Sequence, residues 1–163
     1  MKLTPATIDL LDSAEWVMSM DVDLPATIDE VWAVLVDNDS WTEWFHNCSS
    51  MTSNPTIWTS PGDTRTIRTG PFTIAESAVV LDAPNRWAMT LTSTNLPIAK
   101  TMLEVLDLTD TSRQGEERTE VRWTGALNPP PYLKPFRKIV ESQLTGTWAP
   151  SLESLLDAVM VRR

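Results

Sequence analysis

The stretch Asp23–Phe45 reads DLPATIDEVWAVLVDNDSWTEWF, and it contains two helix starts in close succession. Thr27 is followed three residues later by Glu30, and Ser40 is followed three residues later by Glu43. Each pair has the spacing of a capping box, in which the hydroxyl and the carboxylate each accept a hydrogen bond from a backbone N–H at the helix start. The stretch therefore predicts the end of a strand, a proline break, a helix, a tight turn and a second short helix.

The composition limits the class of the protein and its partners. The 163 residues suffice for one domain that needs neither a disulfide nor a metal for stability, and Cys48 is the only cysteine. The formal net charge of −9 repels phosphate groups, so we expect neither nucleic acid nor an acidic membrane as a partner. No apolar run is long enough to span a bilayer, and the N-terminus does not resemble a secretory signal. We expect a cytoplasmic protein with residues 1–13 as an N-terminal appendage and residues 14–163 as the domain.

Alternation of apolar and polar side chains predicts a sheet of about six to seven antiparallel strands. The strand candidates are residues 15–23, 48–58, 65–69, 72–81, 86–94, 98–108 and 118–127. Prolines at 129–131 end the sheet, and a helix is predicted from Pro135 to Arg163 with a bend at Pro150. Its apolar stripe consists of Phe136, Ile139, Val140, Gln143, Leu144, Trp148, Leu152, Leu155, Leu156 and Val159. Antiparallel strands and one long terminal helix indicate an α+β fold, with two short helices after the first strand.

Five segments follow one another in a recognisable order. They are V-W-x-x-L-x-D at 31–37, W-x-x-W-F at 41–45, PGDTR at 61–65, VVLDAP at 79–84 and RTEVRW at 118–123. Together they resemble the START-like (SRPBCC) superfamily, in particular its bacterial polyketide cyclase/dehydrase-like branch. The resemblance implies a helix-grip fold, in which a curved antiparallel sheet wraps around the long C-terminal helix and leaves a ligand cavity between them.

Strand parity places two charged residues among apolar neighbours. Arg65 shares a face with Ile67, and Glu104 shares one with Met102. Because a buried charge is costly unless it is paired or solvated, these side chains are expected to meet each other or a ligand. Two other outcomes fit the same pattern: a bulge that turns Glu104 to solvent, or a purely structural ion pair. Glu76 is expected to be an exposed strand residue.

The cavity implied by the resemblance would be lined by inward-facing strand residues and by residues near the start of the long helix. The candidate ligand-binding residues are Met18, Met20, Trp32, Trp44, Arg65, Trp87, Met89, Glu104, Trp123, Tyr132 and Phe136. Methionine tolerates varied shapes, so the methionines favour adaptable walls, although they also fit a filled core. Trp32 and Trp44 fit helix packing equally well, and Tyr132 fits a loop aromatic that plugs the core.

Other kinds of site find little support. His46 is the only histidine, so neither a zinc site nor a Ser-His-Asp triad is expected, and five scattered glycines form no phosphate-binding loop. We therefore expect no metal and no cofactor. His46 follows the second short helix, and it is either a ligand or base at the cavity mouth or a surface residue.

Three functions fit these residues. The predicted one is binding of a small hydrophobic molecule, such as a lipid, a polyketide-like compound or an aromatic metabolite, in the internal cavity. The alternative is a polyketide cyclase, aromatase or dehydrase type of enzyme, in which Arg65, Glu104, Tyr132 and His46 converge on one point of the cavity. In the third, the protein acts through a protein partner and the cavity is vestigial.

Overall fold

A seven-stranded antiparallel sheet is the centre of the computed structural model, which describes residues 1–162. The strands are β1 (Trp16–Leu24), β2 (Cys48–Asn54), β3 (Thr64–Thr69), β4 (Phe72–Asp82), β5 (Arg86–Thr94), β6 (Thr101–Asp110) and β7 (Thr119–Asn128). Their order across the sheet is β1-β7-β6-β5-β4-β3-β2, so the first and second strands form the two edges. This sheet and the long helix after it confirm the predicted α+β helix-grip fold.

Four α-helices accompany the sheet within the described residues. They are α1 (Leu10–Ser13), α2 (Ile28–Val36), α3 (Trp41–Trp44) and α4 (Arg137–Val161). A 3₁₀ turn at Asn38–Ser40 joins α2 to α3, and a second at Pro131–Phe136 leads into α4. The C-terminal helix continues through Pro150, as predicted, while Arg163 lies outside the described residues.

The first of the two predicted capping boxes is confirmed. The Thr27 hydroxyl accepts from the Glu30 N–H at 3.3 Å, and the Glu30 carboxylate accepts from the Thr27 N–H at 2.9 Å. This box fixes the start of α2 directly after the proline break, and α2 then buries Val31 and Leu35 against the sheet.

The second capping box is wrong. Ser40 is already helical, and its hydroxyl donates to the carbonyl oxygens of Val34 and Asp37 instead of capping α3. The Asp37 carboxylate is the cap, and it accepts from the Asp39 N–H at 3.2 Å. The 3₁₀ turn therefore begins three residues before the predicted start and runs directly into α3, which leaves no separate N-terminus for Ser40 to cap.

The two faces of the sheet carry separate apolar clusters. The inner face packs against α2, α3 and α4. On the outer face, Leu10 of α1 covers Ala88, Leu103, Val105 and Ala126. The N-terminal segment expected as an appendage thus lies on the sheet.

The two halves of α4 differ in their surroundings. From Trp148 to Val159 the predicted apolar stripe is largely buried against the sheet and the short helices. Phe136 and Ile139, which the stripe placed on the same inward face, are 50% and 59% exposed. That part of the prediction is wrong, because in the first half of the stripe only Val140 is buried and Leu144 is half-buried.

Candidate functional site

Two rows of residues that cross the inner face hold four of the eleven predicted site residues. In one row, Arg65 of β3 stands opposite Glu76 of β4, which stands opposite Leu91 of β5. In the next row the order is Ala78, Met89, Glu104, Gly125 and Met18, one residue each from β4, β5, β6, β7 and β1. Strand pairing therefore brings the buried charges Arg65, Glu76 and Glu104 to the middle of the face.

Arg65 forms a buried ion pair with Glu76, and its side chain has no exposed surface. Its Nε donates to Glu76 Oε2 at 2.6 Å, and its Nη1 donates to Asn38 Oδ1 at 3.1 Å. Its Nη2 lies 2.9 Å from Met89 Sδ. The guanidinium is thus held in one position by β4, by β5 and by the 3₁₀ turn before α3.

Three indole rings enclose the same guanidinium. Its central carbon lies 3.7 Å from the ring centroid of Trp41, 4.7 Å from that of Trp87 and 4.9 Å from that of Trp58. Aromatic faces attract a cation most strongly where water is excluded. Burial lowers the pKa of Arg65, but the charge of Glu76 opposes this shift, and a guanidinium stays protonated in proteins.

The expectation that Glu76 is exposed is wrong, because its residue surface is only 4% exposed. Its parity with Ile74 and Ala78, which belong to the inner cluster, was the available signal. A register shift between Ala75 and Glu76 lets β4 keep this face while β5 accommodates an extra residue. Asn38, Trp41 and Trp58 were also absent from the predicted site, because turns and short helices bring them to it.

Glu104 is the third buried charge, and the Trp123 indole N–H donates to its Oε2 at 2.9 Å. Burial, together with the nearby charge of Glu76, raises the pKa of Glu104 to about 8. At neutral pH it is therefore a carboxylic acid that can donate a hydrogen bond. Arg65 and Glu104 do not pair directly; Met89 stands opposite Glu104 and contacts the guanidinium.

Two buried indole N–H groups have no hydrogen-bond partner among residues 1–162, namely those of Trp58 and Trp87. Their rings lie 5.4 Å apart, and both border the Arg65 guanidinium. By contrast, the Trp41 N–H donates to the Leu35 carbonyl at 2.9 Å. Unpartnered buried donors are rare and costly, so this pair calls for an acceptor that the described chain does not supply.

Indole rings occupy the space between the sheet and α4. The six tryptophans buried most completely are Trp41, Trp44, Trp58, Trp87, Trp123 and Trp148. Trp148 of α4 stacks on Trp123 of β7 at 5.3 Å and 14°, directly over Gly125. A Cβ atom at position 125 would lie 2.4 Å from the Trp148 ring, so only glycine allows this close approach.

Half-buried apolar residues lie at the edge of the inner cluster. They are Met20, Val22, Ile28, Trp32, Phe45, Met51, Ile74, Leu81, Ile98, Leu133, Leu144 and Leu156. Met51 and Ile74 both flank Ile67 in the row beyond Arg65. Leu144 belongs to the less covered first half of α4. These residues, called the rim below, are therefore partly exposed to solvent, whereas the centre of the apolar interior is buried.

Tyr132, Phe136 and His46, which were predicted as catalytic or binding residues, lie outside this arrangement. Tyr132 is 60% exposed and donates to the Pro97 carbonyl at 3.2 Å, and Phe136 is half exposed. His46 is exposed, and its Nε2 lies 2.7 Å from the Asn47 amide nitrogen. The structure thus does not bring Tyr132 or His46 together with Arg65 and Glu104, as the enzyme hypothesis required.

Within residues 1–162, no group of three or more His, Cys, Asp or Glu side chains could hold a metal ion. No helix in the same range is long and apolar enough to cross a membrane.

The sequence matches the model of the family described as polyketide cyclase/dehydrase and lipid transport over residues 15–159. No curated protein matches the sequence. A solution structure from Thermobifida fusca is 20% identical with a TM-score of 0.70, and the alignment covers 88% of this chain and 92% of that one. Protein XoxI from Bacillus cereus is 15% identical with a TM-score of 0.70, covering 88% and 95%. A START superfamily protein from Mycobacterium smegmatis is 11% identical with a TM-score of 0.69, covering 90% and 99%. At these identities the likeness establishes the fold.

Proposed function

Since this chain belongs to the polyketide cyclase/dehydrase and lipid transport family, we propose that it binds a small hydrophobic molecule that carries carbonyl oxygens. The ligand lies between the sheet and α4, next to Arg65 and its indole rings. The family and the fold are consistent with hydrophobic ligand binding or with cyclase-like activity. The carbonyl requirement comes from the polar groups of the site.

The observation that carries the proposal is the pair of unpartnered indole N–H groups on Trp58 and Trp87. A carbonyl oxygen accepts hydrogen bonds and carries no net charge, so it satisfies such donors at little desolvation cost. Neutral Glu104 adds a third potential donor. A ligand without a hydrogen-bond acceptor leaves all of these donors unsatisfied.

The ligand reaches these donors through the half-buried rim. Met51, Ile74 and Leu144 border the inner cluster there, and none of them carries a charge. Further in, Met18 and Met89 lie in the row of Glu104. Methionine side chains repack at small cost, so they can make room without breaking the Arg65–Glu76 pair. Binding therefore replaces contacts among the methionine side chains with contacts between these side chains and the ligand.

Two probes of nearly equal shape test the carbonyl requirement. 2-Acetylnaphthalene and 2-ethylnaphthalene differ by one carbonyl oxygen, and isothermal titration calorimetry measures their affinities. We expect the ketone to bind about tenfold more tightly, the effect of one buried hydrogen bond that would otherwise stay unmade. Equal affinities, or no binding of either probe, would overturn the proposal.

Conservative variants locate the effect. Trp58→Phe and Trp87→Phe each remove an N–H and keep an aromatic ring, so the double variant is expected to bind both probes equally. Trp32→Phe is the matched control, because Trp32 lies half-buried on α2 and is not one of the three indole rings that enclose the Arg65 guanidinium. If the preference for the ketone survives in the double variant, these donors are not the site.

A second function is favoured by the raised pKa of Glu104. In a cyclase-type enzyme, neutral Glu104 would donate its proton to a ketone oxygen as the substrate enolises, and would take a proton back when the carbon–carbon double bond is consumed. Acceptance of the proton from the α-carbon would then fall to water or to the substrate itself.

Exchange of the methyl-ketone protons of 2-acetylnaphthalene in D₂O, followed by NMR, tests this second function. We expect the wild-type protein to accelerate exchange above buffer and Glu104→Gln to lose the acceleration while binding the probe. If wild-type protein does not accelerate exchange of the bound ketone, the enzyme function fails and the binding function stands.

A further inference from the structure

We propose that the start of α4 and the neighbouring N-terminal segment form a surface that docks on anionic lipid bilayers. The proposal does not depend on the ligand held inside the fold. The surface, called the basic–aromatic surface below, consists of Lys2, Lys100, Tyr132, Phe136, Lys138 and Ile139. All six residues are exposed.

The apolar part of this surface is concentrated in eight residues. Tyr132, Phe136 and Ile139 are 60%, 50% and 59% exposed, and they follow one another at spacings of four and three residues. Phe136 and Ile139 are three residues apart at the start of α4, so they are neighbours on the helix surface, and Tyr132 lies in the 3₁₀ turn just before them. Large exposed side chains in such a cluster are unusual on a protein surface that faces only water.

The charges around these residues are basic, in a chain whose net charge is −9. From 129 to 140 the sequence has no acidic residue and contains Lys134, Arg137 and Lys138. Lys134 pairs with Glu15, and Arg137 pairs with Glu141. Lys138 forms no ion pair within residues 1–162, so the start of α4 keeps a positive charge.

A groove of about 540 Å³ adjoins the aromatic residues and extends the positive region. Lys2, Lys100, Pro130 and Tyr132 are among its lining residues, and no acidic residue lines it. Neither lysine forms an ion pair with another residue of 1–162. The N-terminal segment is fixed beside the groove, because the Thr4 N–H donates to the Lys100 carbonyl at 2.9 Å. The groove thus presents two free ammonium groups beside an aromatic ring.

Aromatic side chains interleaved with lysines are the chemistry of an interfacial anchor. The rings partition to the boundary between headgroups and acyl chains, while the ammonium groups reach anionic phosphates. This proposal departs from the expectation that the net charge of −9 disfavours an acidic membrane. Negative charges of the protein that lie more than about 8–10 Å from the contact are screened at physiological ionic strength, so they do not prevent docking. Charge complementarity therefore selects an anionic bilayer over a neutral one.

Co-sedimentation with vesicles tests the proposal. The full chain is incubated with vesicles of phosphatidylcholine alone or of phosphatidylcholine with phosphatidylglycerol. We expect binding only to the anionic vesicles, and weaker binding at high salt. Absence of binding to anionic vesicles, or equal binding to both kinds, would overturn the proposal.

Two double variants separate the apolar and the charged contributions. Phe136→Ser with Ile139→Ser is expected to weaken partitioning at least tenfold, and Lys100→Glu with Lys138→Glu by a similar factor or more. The matched control is Met160→Ser with Val161→Ser, because these residues are also exposed apolar side chains but lie at the opposite end of α4. A control variant that loses as much binding as the first pair contradicts the assignment of the surface.

The same variants exclude another occupant. If the surface instead packs against a second copy of the chain, light scattering of the vesicle-free protein gives a dimer mass that falls to the monomer mass in Phe136→Ser with Ile139→Ser. That result overturns the membrane proposal. Circular dichroism confirms that each variant is folded, which is expected because all substituted side chains are exposed.

Discussion

Two ion pairs of the same geometry stand on opposite faces of the sheet. Arg65 and Glu76 are directly opposed on β3 and β4, and Arg122 and Asp21 are directly opposed on β7 and β1. Their N–O distances are 2.6 and 2.7 Å. The inner pair has side chains 0% and 4% exposed, whereas the outer pair has side chains 53% and 46% exposed. Solvent, and not contact geometry, therefore decides what each pair contributes.

The outer pair belongs to a row of alternating charge that crosses most of the sheet. Asp82, Arg86, Asp107, Arg122 and Asp21 are successive cross-strand partners on β4, β5, β6, β7 and β1. Each arginine thus has acidic neighbours on both sides, and water solvates every member. The inner pair has no such row. Its arginine is surrounded by the Asn38 amide, the Met89 thioether and three indole rings. Water therefore cannot solvate the charge that remains when one partner of the pair is removed.

The largest expected effect is the loss of Arg65. Arg65→Leu leaves Glu76 buried without a cation, and we expect the free energy of unfolding to fall by roughly 3–5 kcal/mol. The matched change Arg122→Leu on the outer face is expected to cost far less stability, because both partners of that pair are exposed to water. Chemical denaturation followed by tryptophan fluorescence measures both values.

Replacement of both inner charges sharpens this comparison. In Arg65→Met with Glu76→Leu no charge remains unpaired, so much of the lost stability should return. If the double variant is as unstable as Arg65→Leu, the contacts with Asn38 and the indole rings contribute more than the ion pair.

The next effect is a dependence of stability on pH that comes from Glu104. Its pKa is about 8 in the folded protein, so between the ordinary carboxyl pKa and pH 8 the folded state holds a proton that the unfolded state releases. At low pH Glu104 is protonated in both states and its burial as an acid costs no stability. As pH rises through this range, the free energy of unfolding falls by about 1.4 kcal/mol per pH unit. The side chain of the Glu104→Gln variant stays neutral. Its free energy of unfolding should therefore rise steadily relative to that of the wild type from about pH 5 to pH 8.

Urea denaturation at several pH values measures this difference. Glu153→Gln serves as the control, because it makes the same side-chain exchange at an exposed position on α4. A constant difference between Glu104→Gln and wild type would mean that Glu104 ionises as freely inside the fold as in water.

A smaller effect concerns the packing of the Trp148 ring against Gly125 of β7. Gly125→Ala places a methyl group against the Trp148 ring, and we expect a loss of roughly 1–3 kcal/mol with a displaced ring. Gly146→Ala is the opposite case, since nothing lies within 4 Å of its added Cβ and alanine favours a helix by about 0.5–1 kcal/mol. Thermal unfolding of the two variants should therefore shift in opposite directions.

The sequence predicts the secondary structure of this protein better than it predicts the residues that surround Arg65. Local patterns predicted the strands, the long helix and the cap at Thr27, because alternation and capping depend on neighbours in the chain. Parity also placed Arg65 and Glu104 inward. Glu76 was missed because a lone carboxylate is exposed by default, and only its partner on β3 makes burial possible. Trp58 was missed because it follows β2 in a segment without alternation.

The smallest expected effect is the coupling of Arg122 and Asp21. A double-mutant cycle with Arg122→Ala and Asp21→Ala should give only a small coupling energy, and 1 M salt should remove most of it. The hydrogen bond from Arg122 holds the pKa of Asp21 below its usual value, so this stability is present above the ordinary aspartate pKa and is lost as pH falls below it. Its pH dependence is therefore opposite in sign to that of Glu104. A large coupling energy, unaffected by salt, would show that the outer row excludes water as the surroundings of Arg65 and Glu76 do. The contrast between the two faces would then fail.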